Sequence, residues 1–146
     1  GEKPKEGSTN LFPVLIKVVK GIQKQLFIYG NDWPTKDGTC IRDYVHVMDL
    51  VEGHIIALDF LCSENSQYQN INLGSGIGST VLEVVNTFQK INNITIPYLF
   101  KDRRIGDKAF FVADIHLAYK LLKWRPLRSL EDICKDVWDF ENLSEL

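Results

Sequence analysis

The sequence predicts a mixed α/β fold of the α+β kind, and three observations support this prediction. Short apolar or alternating runs, typical of strands, occur between longer segments whose apolar residues recur at helical spacing. Clusters of glycine, proline, asparagine and aspartate separate these segments. The 146 residues are 45% hydrophobic and 25% charged, which is typical of one globular domain and excludes a disordered tail or a disulfide miniprotein.

Composition also restricts the possible partners. Lys and Arg number 17 against 19 Asp and Glu, so no overall positive field favours nucleic acid or anionic lipid. No apolar run reaches the ~20 residues of a membrane-spanning helix, and residues 1–7 are too polar for a secretory signal. Three cysteines without a Cys-x-x-Cys pair indicate reduced thiols and no zinc site. We therefore expect a cytoplasmic protein with no nucleic-acid, membrane or metal partner.

The first predicted elements are a helix, a strand and a loop. Asn10 can cap a helix over residues 11–20, in which Pro13 occupies the first turn, where its missing N–H costs little. Residues 25–29 have the composition of a strand. Residues 30–39 are rich in turn-forming residues and predict a loop.

A second strand and a second helix follow. Residues 41–47 alternate between apolar and polar side chains, which predicts a strand. Asp49 with Glu52 matches a capping box for a helix that extends to about Cys62. Because this helix is apolar nearly all round, we expect it to be buried on more than one side.

A short strand is predicted over residues 67–73, and three glycines follow it within residues 74–78. Phosphate-cradling loops place glycines between a strand and a helix in this way. The third glycine here falls one position short of the G-x-G-x-x-G pattern. The spacing therefore favours a tight strand-to-helix turn over a phosphate-binding loop.

The remaining predicted elements are three helices and one strand. Thr80 with Glu83 forms a second capping box at the start of a helix. Residues 94–100 predict a strand. Asp114 and Ser129 are placed to cap the last two helices.

Two arginine clusters are the best candidates for a binding site. Arg42 follows a glycine-bearing loop, and the pair Arg103-Arg104 lies just before Asp107. The planar fork of arginine matches phosphate oxygens, and a nearby aspartate can accept hydrogen bonds from sugar hydroxyls. The residues alone leave open a second interpretation, in which Arg42 with Asp43 and Arg104 with Asp107 are surface ion pairs of little energetic value.

Other chemical motifs are weak or missing. Asp43, His46, Asp49 and Glu52 recur every three residues, as metal ligands on a helix would. The run straddles the predicted strand-to-helix junction, so these side chains are not expected to share a face, and His46 is predicted to be a hydrogen-bonded structural residue. The chain has no P-loop, G-x-S-x-G, H-E-x-x-H or Tyr-x-x-x-Lys motif, so no complete active site is evident.

One long segment carries a distinctive pattern, YGNDWPTKDGTCIRDYVHVMDL over residues 29–50. It resembles the UDP-glucose 4-epimerase group of the extended short-chain dehydrogenase/reductase family. Shorter stretches agree in the same order and extend the resemblance to nearly the whole chain: Gly1-Glu2-x-Pro4, Asn10-Leu11-x-Pro13, Asn72-Leu73-Gly74-x-Gly76-x-Gly78, Arg103-Arg104-x-Gly106-Asp107, Ala113-Asp114 and Trp124.

The resemblance implies that residues 1–146 are the C-terminal, UDP-sugar-binding portion of such an enzyme. The N-terminal domain that binds NAD, and that carries the Ser, Tyr and Lys catalytic residues, is then absent from this chain, which leaves it with no catalytic or cofactor-binding residue and inactive by itself. The helix over residues 49–62 and the strand over residues 67–73 are implied to pack on that absent Rossmann domain. A homodimer of the full-length protein is also implied.

The implied reaction interconverts UDP-galactose and UDP-glucose. NAD takes hydride from C4 of the hexose, the 4-keto sugar turns over, and hydride returns to its other face. By resemblance, Arg42 and Arg104 bind the pyrophosphate and Asp107 binds the uridine ribose. Tyr29 and the Phe27 backbone face the uracil, and the other implied substrate contacts are Asn10, Leu11, Tyr44, Val81 and Phe111.

The chain departs from the family pattern at Phe111, where a tyrosine of the sugar pocket is frequent, and we hypothesise that its bulk disfavours an N-acetyl group on the sugar. Ala109 stands where proline is frequent. Two other functions stay open: a nucleotide-sugar dehydratase or decarboxylase of the same superfamily, and a non-catalytic module that binds UDP or another protein.

Overall fold

The computed structural model describes residues 10–63 and 68–143. Within these ranges the chain forms five helices and five short strands, which confirms the mixed α/β class. The helices are α1 (Leu11–Val19), α2 (Val47–Ser63), α3 (Val81–Asn92), α4 (His116–Leu122) and α5 (Leu130–Leu143). The strands are β1 (Leu26–Tyr29), β2 (Ile41–Asp43), β3 (Gly78–Thr80), β4 (Tyr98–Lys101) and β5 (Phe110–Phe111).

The strands form two small sheets. In the first, β1 and β4 are parallel, with Tyr29 opposite Lys101. In the second, β2 lies between β3 and β5, antiparallel to β3 and parallel to β5, and places Arg42 opposite Ser79 and Phe111. Parallel strands end at the same edge of a sheet, so the loops that follow β1 and β4 emerge side by side.

The main core joins the first sheet to three helices. Leu15 of α1, Ile28 of β1 and Phe88 of α3 are at most 1% exposed and belong to one cluster of buried side chains. Trp138 of α5 contacts the Phe88 ring edge-on, with ring centroids 6.4 Å apart. This packing fixes α1 and β1, which both contribute to the candidate site described below.

A smaller cluster attaches α2 to the C-terminal part of the chain. The indole N–H of Trp124 donates to the Asp49 carbonyl oxygen at 3.0 Å. Gly53 lies directly against this ring, because a Cβ at that position would be 3.0 Å from Trp124 Nε1. The Asp49 carboxylate is fully buried and accepts hydrogen bonds from the backbone N–H and the guanidinium of Arg128.

The capping predictions have mixed outcomes. The capping box of Thr80 with Glu83 is confirmed, and Ser129 caps α5 as predicted, since its hydroxyl accepts from the Asp132 N–H. The N-cap of α4 is Ile115 and not Asp114, whose carboxylate accepts a hydrogen bond from the His116 N–H. Asn10 precedes α1, but its side chain makes no capping hydrogen bond.

The capping box predicted for Asp49 and Glu52 is wrong. Helix α2 begins two residues earlier, at Val47. Both carboxylates accept hydrogen bonds from the Arg128 guanidinium. A charged tertiary partner is a stronger donor than the N–H groups of the helix itself, so it decides the orientation of both side chains.

Several predicted strands are shorter than expected. Strand β2 ends at Asp43, and Val47, predicted as part of this strand, is the first residue of α2, whose start is marked by a hydrogen bond from the Met48 N–H to His46 Nδ1. Residues 68–73 form no strand, and residue 67 lies outside the described ranges. Strand β4 begins only at Tyr98. The two-residue β5 was not predicted, because it exists only through its pairing with β2.

Helix α2 is mostly exposed, so the expectation that it is buried on more than one side is wrong within the described chain. Only Asp49 and Gly53 of this helix are buried. Seven large apolar side chains lie at its surface, at least 36% exposed: Val47, Met48, Val51, Ile55, Ile56, Leu58 and Leu61. None of the described helices has the length and hydropathy needed to cross a bilayer.

We predict that Thr80→Ala lowers the free energy of unfolding by about 1–2 kcal/mol. Thr80 is 1% exposed, and its hydroxyl accepts from the Glu83 N–H while donating to the Asp37 carboxylate. Ser129→Ala removes the corresponding but exposed cap of α5 and should lower the free energy of unfolding by about 0.5–1 kcal/mol. Urea denaturation measures both losses, and a larger loss for Ser129→Ala would contradict the prediction.

Candidate functional site

A cavity of about 610 Å³ opens between the start of α1, the end of β1 and the loop that follows β4. Its walls combine aromatic rings, aliphatic side chains, two guanidinium groups and one carboxylate. The predicted substrate contacts that line it are Asn10, Leu11, Phe27, Tyr29, Arg42, Tyr44, Val81, Arg104 and Asp107.

The two parallel strands bring Tyr29 and Arg104 together. The N–H of Gly30 donates to the Lys101 carbonyl oxygen at 2.7 Å, which extends the β1–β4 pairing by one residue. The segment after β4 therefore passes the end of β1, and Arg104 Cζ lies 3.8 Å from the centroid of the Tyr29 ring. A guanidinium over an aromatic face is attracted by the ring quadrupole.

The second guanidinium is held by hydrogen bonds. Arg42 Nη1 donates to the carbonyl oxygens of Ile41 and Lys108, each at 2.8 Å. Arg42 Nη2 lies 3.2 Å from Asp107 Oδ1. These three acceptors fix the plane of the guanidinium at the wall of the cavity.

The ion pairs that the sequence left open as an alternative are not formed. Arg42 pairs with Asp107 and not with its neighbour Asp43. The Asp43 carboxylate accepts from backbone N–H groups instead, and no described residue accepts a hydrogen bond from Arg104. The donor edges of Arg104 therefore remain available to an anion in the cavity, while its face is supported by Tyr29.

Burial changes the acid–base properties of two groups in the wall. It raises the pKa of Tyr44, so the phenol stays protonated well above neutral pH, and the ring contacts Phe12 edge-on with centroids 5.9 Å apart. Burial also raises the pKa of the Cys40 thiol. A protonated phenol can donate a hydrogen bond to an oxygen of a ligand, whereas a protonated thiol is a weak nucleophile.

The loop over residues 30–39 is tied to the start of α3. Asp37 Oδ1 accepts from the N–H and the hydroxyl of Thr39, and Asp37 Oδ2 accepts from the Thr80 hydroxyl at 2.5 Å. Burial by itself raises the pKa of Asp37, but these hydrogen bonds outweigh it and hold the pKa below its usual range. The N–H of Leu82 also donates to the Thr39 hydroxyl, beside Val81 in the cavity wall.

The glycine-bearing segment 74–78 is a turn that binds a carboxylate of the chain itself. Asp43 accepts from the N–H groups of Ser75 at 2.6 Å, Gly76 at 3.2 Å and Ala113 at 3.0 Å. A Cβ on Gly74 would lie 2.5 Å from Asp43 Oδ2, so glycine is required there. These backbone donors are therefore used by Asp43, which agrees with a turn and not with a phosphate-binding loop.

His46 is a hydrogen-bonded structural residue, as predicted. It is 4% exposed, its Nδ1 accepts from the Met48 N–H, and its Nε2 lies 3.1 Å from Asp136 Oδ2. Asp43, His46 and the pair Asp49 with Glu52 thus have three separate sets of partners. No group of three or more His, Cys, Asp or Glu in the described ranges is arranged to hold a metal ion.

Phe111 lies outside the cavity. It is 66% exposed and pairs with Arg42 through the backbone of β5. Sequence reasoning missed seven other lining residues: Phe12, Pro13, Val14, Gln23, Leu26, Ile28 and Cys40. The alternation of β2 could have identified Cys40, because it lies two positions from Arg42 and side chains two apart share a face of a strand. No local signal indicates Gln23.

Three comparisons describe what the chain is similar to. It matches the family described as GDP-mannose 4,6 dehydratase over residues 1–137. Curated relatives include UDP-glucose 4-epimerases of Erwinia amylovora, 45% identical, and Bacillus subtilis, 44% identical, each aligned over 142 residues. Each alignment covers 97% of this chain and 42% of the relative. The chain therefore spans about two fifths of the length of these relatives.

Solved structures give the same result. A UDP-glucose 4-epimerase of Stenotrophomonas maltophila, crystallised with NAD and formylated UDP-arabinopyranose, superposes with a TM-score of 0.94 at 36% identity over 99% of this chain and 43% of that chain. The enzyme of Bifidobacterium longum, crystallised with NAD⁺ and UDP, gives 0.89 at 38% identity over 100% and 44%.

We predict that the three cysteines react with iodoacetamide at pH 8 at very different rates. Cys62 is exposed, whereas Cys40 and Cys134 are buried, and burial raises the pKa of Cys134 to about 12. A raised pKa leaves little thiolate at pH 8, so Cys62 should be labelled first. Timed labelling with peptide mass spectrometry checks the order, with protein unfolded in guanidinium as the control. Cys40 labelling as fast as Cys62 in folded protein would contradict it.

Proposed function

The chain belongs to the GDP-mannose 4,6 dehydratase family, and we propose that it forms the UDP-sugar-binding portion of a UDP-glucose 4-epimerase. The observation that carries the proposal is the convergence of Arg42 and Arg104 on one cavity whose walls include Tyr29 and Tyr44. The similarity to UDP-glucose 4-epimerases over nearly the whole chain supports the choice of reaction.

The two guanidiniums are suited to a diphosphate. Each can donate charge-assisted hydrogen bonds to phosphate oxygens, and together they neutralise two phosphate charges. Arg42 is fixed by backbone carbonyls and Asp107, and Arg104 by the Tyr29 ring, so little ordering is needed when the anion binds. The epimerase reaction needs such an anchor, because the 4-keto sugar must turn over while the nucleotide stays bound.

The rest of the cavity is suited to a nucleoside. The aromatic residues Tyr29 and Tyr44 border the cavity and are suited to contact a base, and Phe27 is assigned to the base through its backbone. We assign Asp107 Oδ2 to a ribose hydroxyl, because Asp107 Oδ1 already accepts from Arg42. Asn10 and Leu11, at the start of α1, border the same cavity and are assigned to the phosphate–sugar region.

The hydride chemistry belongs to a part of the protein outside this chain. In such a reaction NAD would supply the acceptor and donor of hydride. The described residues do not fit this cofactor. A dinucleotide would need the backbone N–H groups of the glycine-bearing turn over residues 74–78, and Asp43 already accepts hydrogen bonds from two of them. We therefore assign NAD binding and catalysis to the three fifths of the relatives that this chain does not span.

Helix α2 is proposed to contact that remaining part. Its large apolar side chains are exposed here, among them Val51, Ile55 and Leu58 at 44%, 57% and 61%. Apolar patches of more than a few hundred Å² are rare on the surface of soluble monomers and mark contacts with other parts of a protein. A homodimer of the complete protein stays a prediction, which light scattering tests.

A cytoplasmic location is also proposed. The three cysteines of the chain are unpaired, which agrees with a compartment that keeps thiols reduced.

A second candidate function is a nucleotide-sugar dehydratase of the same superfamily. It is favoured by the description of the matching family, which names a GDP-mannose 4,6 dehydratase. The two reactions differ in the nucleotide and in the product, so the complete protein should be given UDP-galactose and GDP-mannose in parallel.

We predict that the complete protein that contains this chain converts UDP-galactose into UDP-glucose, and that residues 1–146 alone do not. The physical reason is that the proposal assigns both the hydride carrier and the catalytic base to the part of the protein outside this chain. A coupled assay for UDP-glucose measures both. Turnover by the isolated chain would contradict the prediction, and loss of water from GDP-mannose would favour the second candidate.

We predict that Arg42→Ala and Arg104→Ala each weaken binding of UDP to the complete protein by about 1.5–3 kcal/mol, which is roughly 10- to 150-fold. Each substitution removes charge-assisted hydrogen bonds to the diphosphate. Calorimetric titration measures the affinity. Arg125→Ala, at an exposed position outside the cavity, is the control and should bind as the wild type does. Unchanged affinity in both cavity variants would contradict the proposed site.

A further inference from the structure

Arg103 makes three contacts with the loop that follows β1. Its Nε donates to Asp32 Oδ1 at 2.7 Å, and its Nη2 donates to the Asp32 carbonyl oxygen at 2.6 Å. The guanidinium also lies over Trp33, with Cζ 3.9 Å from the ring centroid. We name this group of Arg103, Asp32 and Trp33 the Arg103 latch. None of its three residues lines the cavity.

The Arg103 latch joins two loops. Residues 30–39 are held by their own hydrogen bonds, whereas residues 102–107 make few contacts of their own. Within residues 30–39, the Trp33 N–H donates to the Gly38 carbonyl oxygen at 2.9 Å, and the Thr35 hydroxyl donates to the Thr39 carbonyl oxygen at 2.8 Å. Residues 102–107 are almost all exposed, and Gly106 has a φ of +88°. Apart from one turn hydrogen bond and the Asp107 ion pair, the hydrogen bonds of this second loop are those of the latch.

The second loop carries two residues of the cavity. Arg104 follows Arg103 directly and lies over Tyr29, and Asp107 reaches Arg42. We propose that Arg103 is a positioning residue for diphosphate binding: it contacts no ligand, and it holds residues 102–107 where Arg104 and Asp107 can act. The identity of the anion rests on the proposed function.

The contacts explain why arginine occupies this position. A lysine has the same charge, but it cannot donate along two directions in one plane while covering the Trp33 ring. Asp32 and Arg103 are 67% and 39% exposed, and an exposed ion pair alone contributes little. The latch therefore depends on the combination of two hydrogen bonds and the stacked ring on one side chain.

The first test is Arg103→Lys in the complete protein, because this variant keeps the charge near the diphosphate. We expect UDP to bind roughly three- to tenfold more weakly. The matched control is Arg125→Lys, the same change at an exposed arginine outside the cavity, which should leave the affinity unchanged. Wild-type affinity in Arg103→Lys would overturn the proposal.

The second test asks whether removing the Asp32 charge strengthens or weakens the binding of UDP. Asp32→Ala removes a negative charge near the site, which strengthens diphosphate binding if only Coulomb forces act. The latch predicts the opposite, weaker binding, because Arg103 loses its acceptor side chain. Equal or tighter binding of UDP by Asp32→Ala would overturn the proposal.

A third test separates positioning from a general loss of stability. If Arg103 acts through Arg104 and Asp107, then Arg103→Lys added to Arg104→Ala should cause a smaller loss of affinity than it causes in the wild type, because only the positioning of Asp107 is still at stake. A full additional loss in the double variant would overturn the proposal.

Hydrogen exchange gives a readout that needs no ligand. The amide of Asp107, which donates to the Arg104 carbonyl oxygen, should exchange faster in Arg103→Lys, while those of α3 and α5 keep the wild-type rate. Unchanged exchange in the loop would overturn the proposal. Failure of the wild type to bind UDP, with the exchange result as expected, would instead refute the proposed function alone.

Discussion

The parallel pairing of β1 with β4 is the interaction on which the candidate site depends. Leu26 and Ile28 of β1 are 2% and 1% exposed, so this strand is fixed by the core formed by α1, α3 and α5. The pairing brings the two following loops to one edge. Because of this, a guanidinium from residue 104 can rest on the ring of residue 29, far away along the chain.

Three carboxylates elsewhere in the described chain hold the backbone or a structural arginine. Asp43 holds the glycine-bearing turn, Asp37 holds the loop against α3, and Asp49 holds Arg128. Among the described residues, Arg104 has no carboxylate partner and Arg42 forms an ion pair with Asp107 alone. Two cations with a single carboxylate leave a net positive cavity in a chain whose overall charge is −2. This imbalance is the electrostatic condition for binding an anion.

The exposed apolar side chains of α2 agree with the finding that this chain spans only part of the length of its relatives. A helix that is apolar nearly all round is stable only when other elements cover most of it. Trp124 and Arg128 hold one side of α2, through the Asp49 backbone and side chain. The other side has no cover in the described ranges, which agrees with a chain that spans about two fifths of its relatives.

The sequence determined those parts of the fold in which the interacting residues are three or four positions apart in the chain. The capping box at Thr80 and the cap at Ser129 are such signals, and so is the helical spacing of α3 and α5. The box at Asp49 failed because its partner, Arg128, is 79 residues away and binds more strongly than a helix N–H. Strand β5 failed for a similar reason, since two residues form a strand only where a distant strand pairs with them.

The same distinction holds for the site. The residues alone offered Arg42 with Asp43, and Arg104 with Asp107, as neighbours in the chain, and neither pair forms. The resemblance to a known family supplied nine of the 16 residues that line the cavity, together with Phe111, which lies outside it, but it did not show how they are held. Only the tertiary structure decided that Arg42 pairs with Asp107 and that Arg104 rests on Tyr29. These contacts join segments more than 60 residues apart, and no periodicity or spacing along the chain encodes the energy of such a contact.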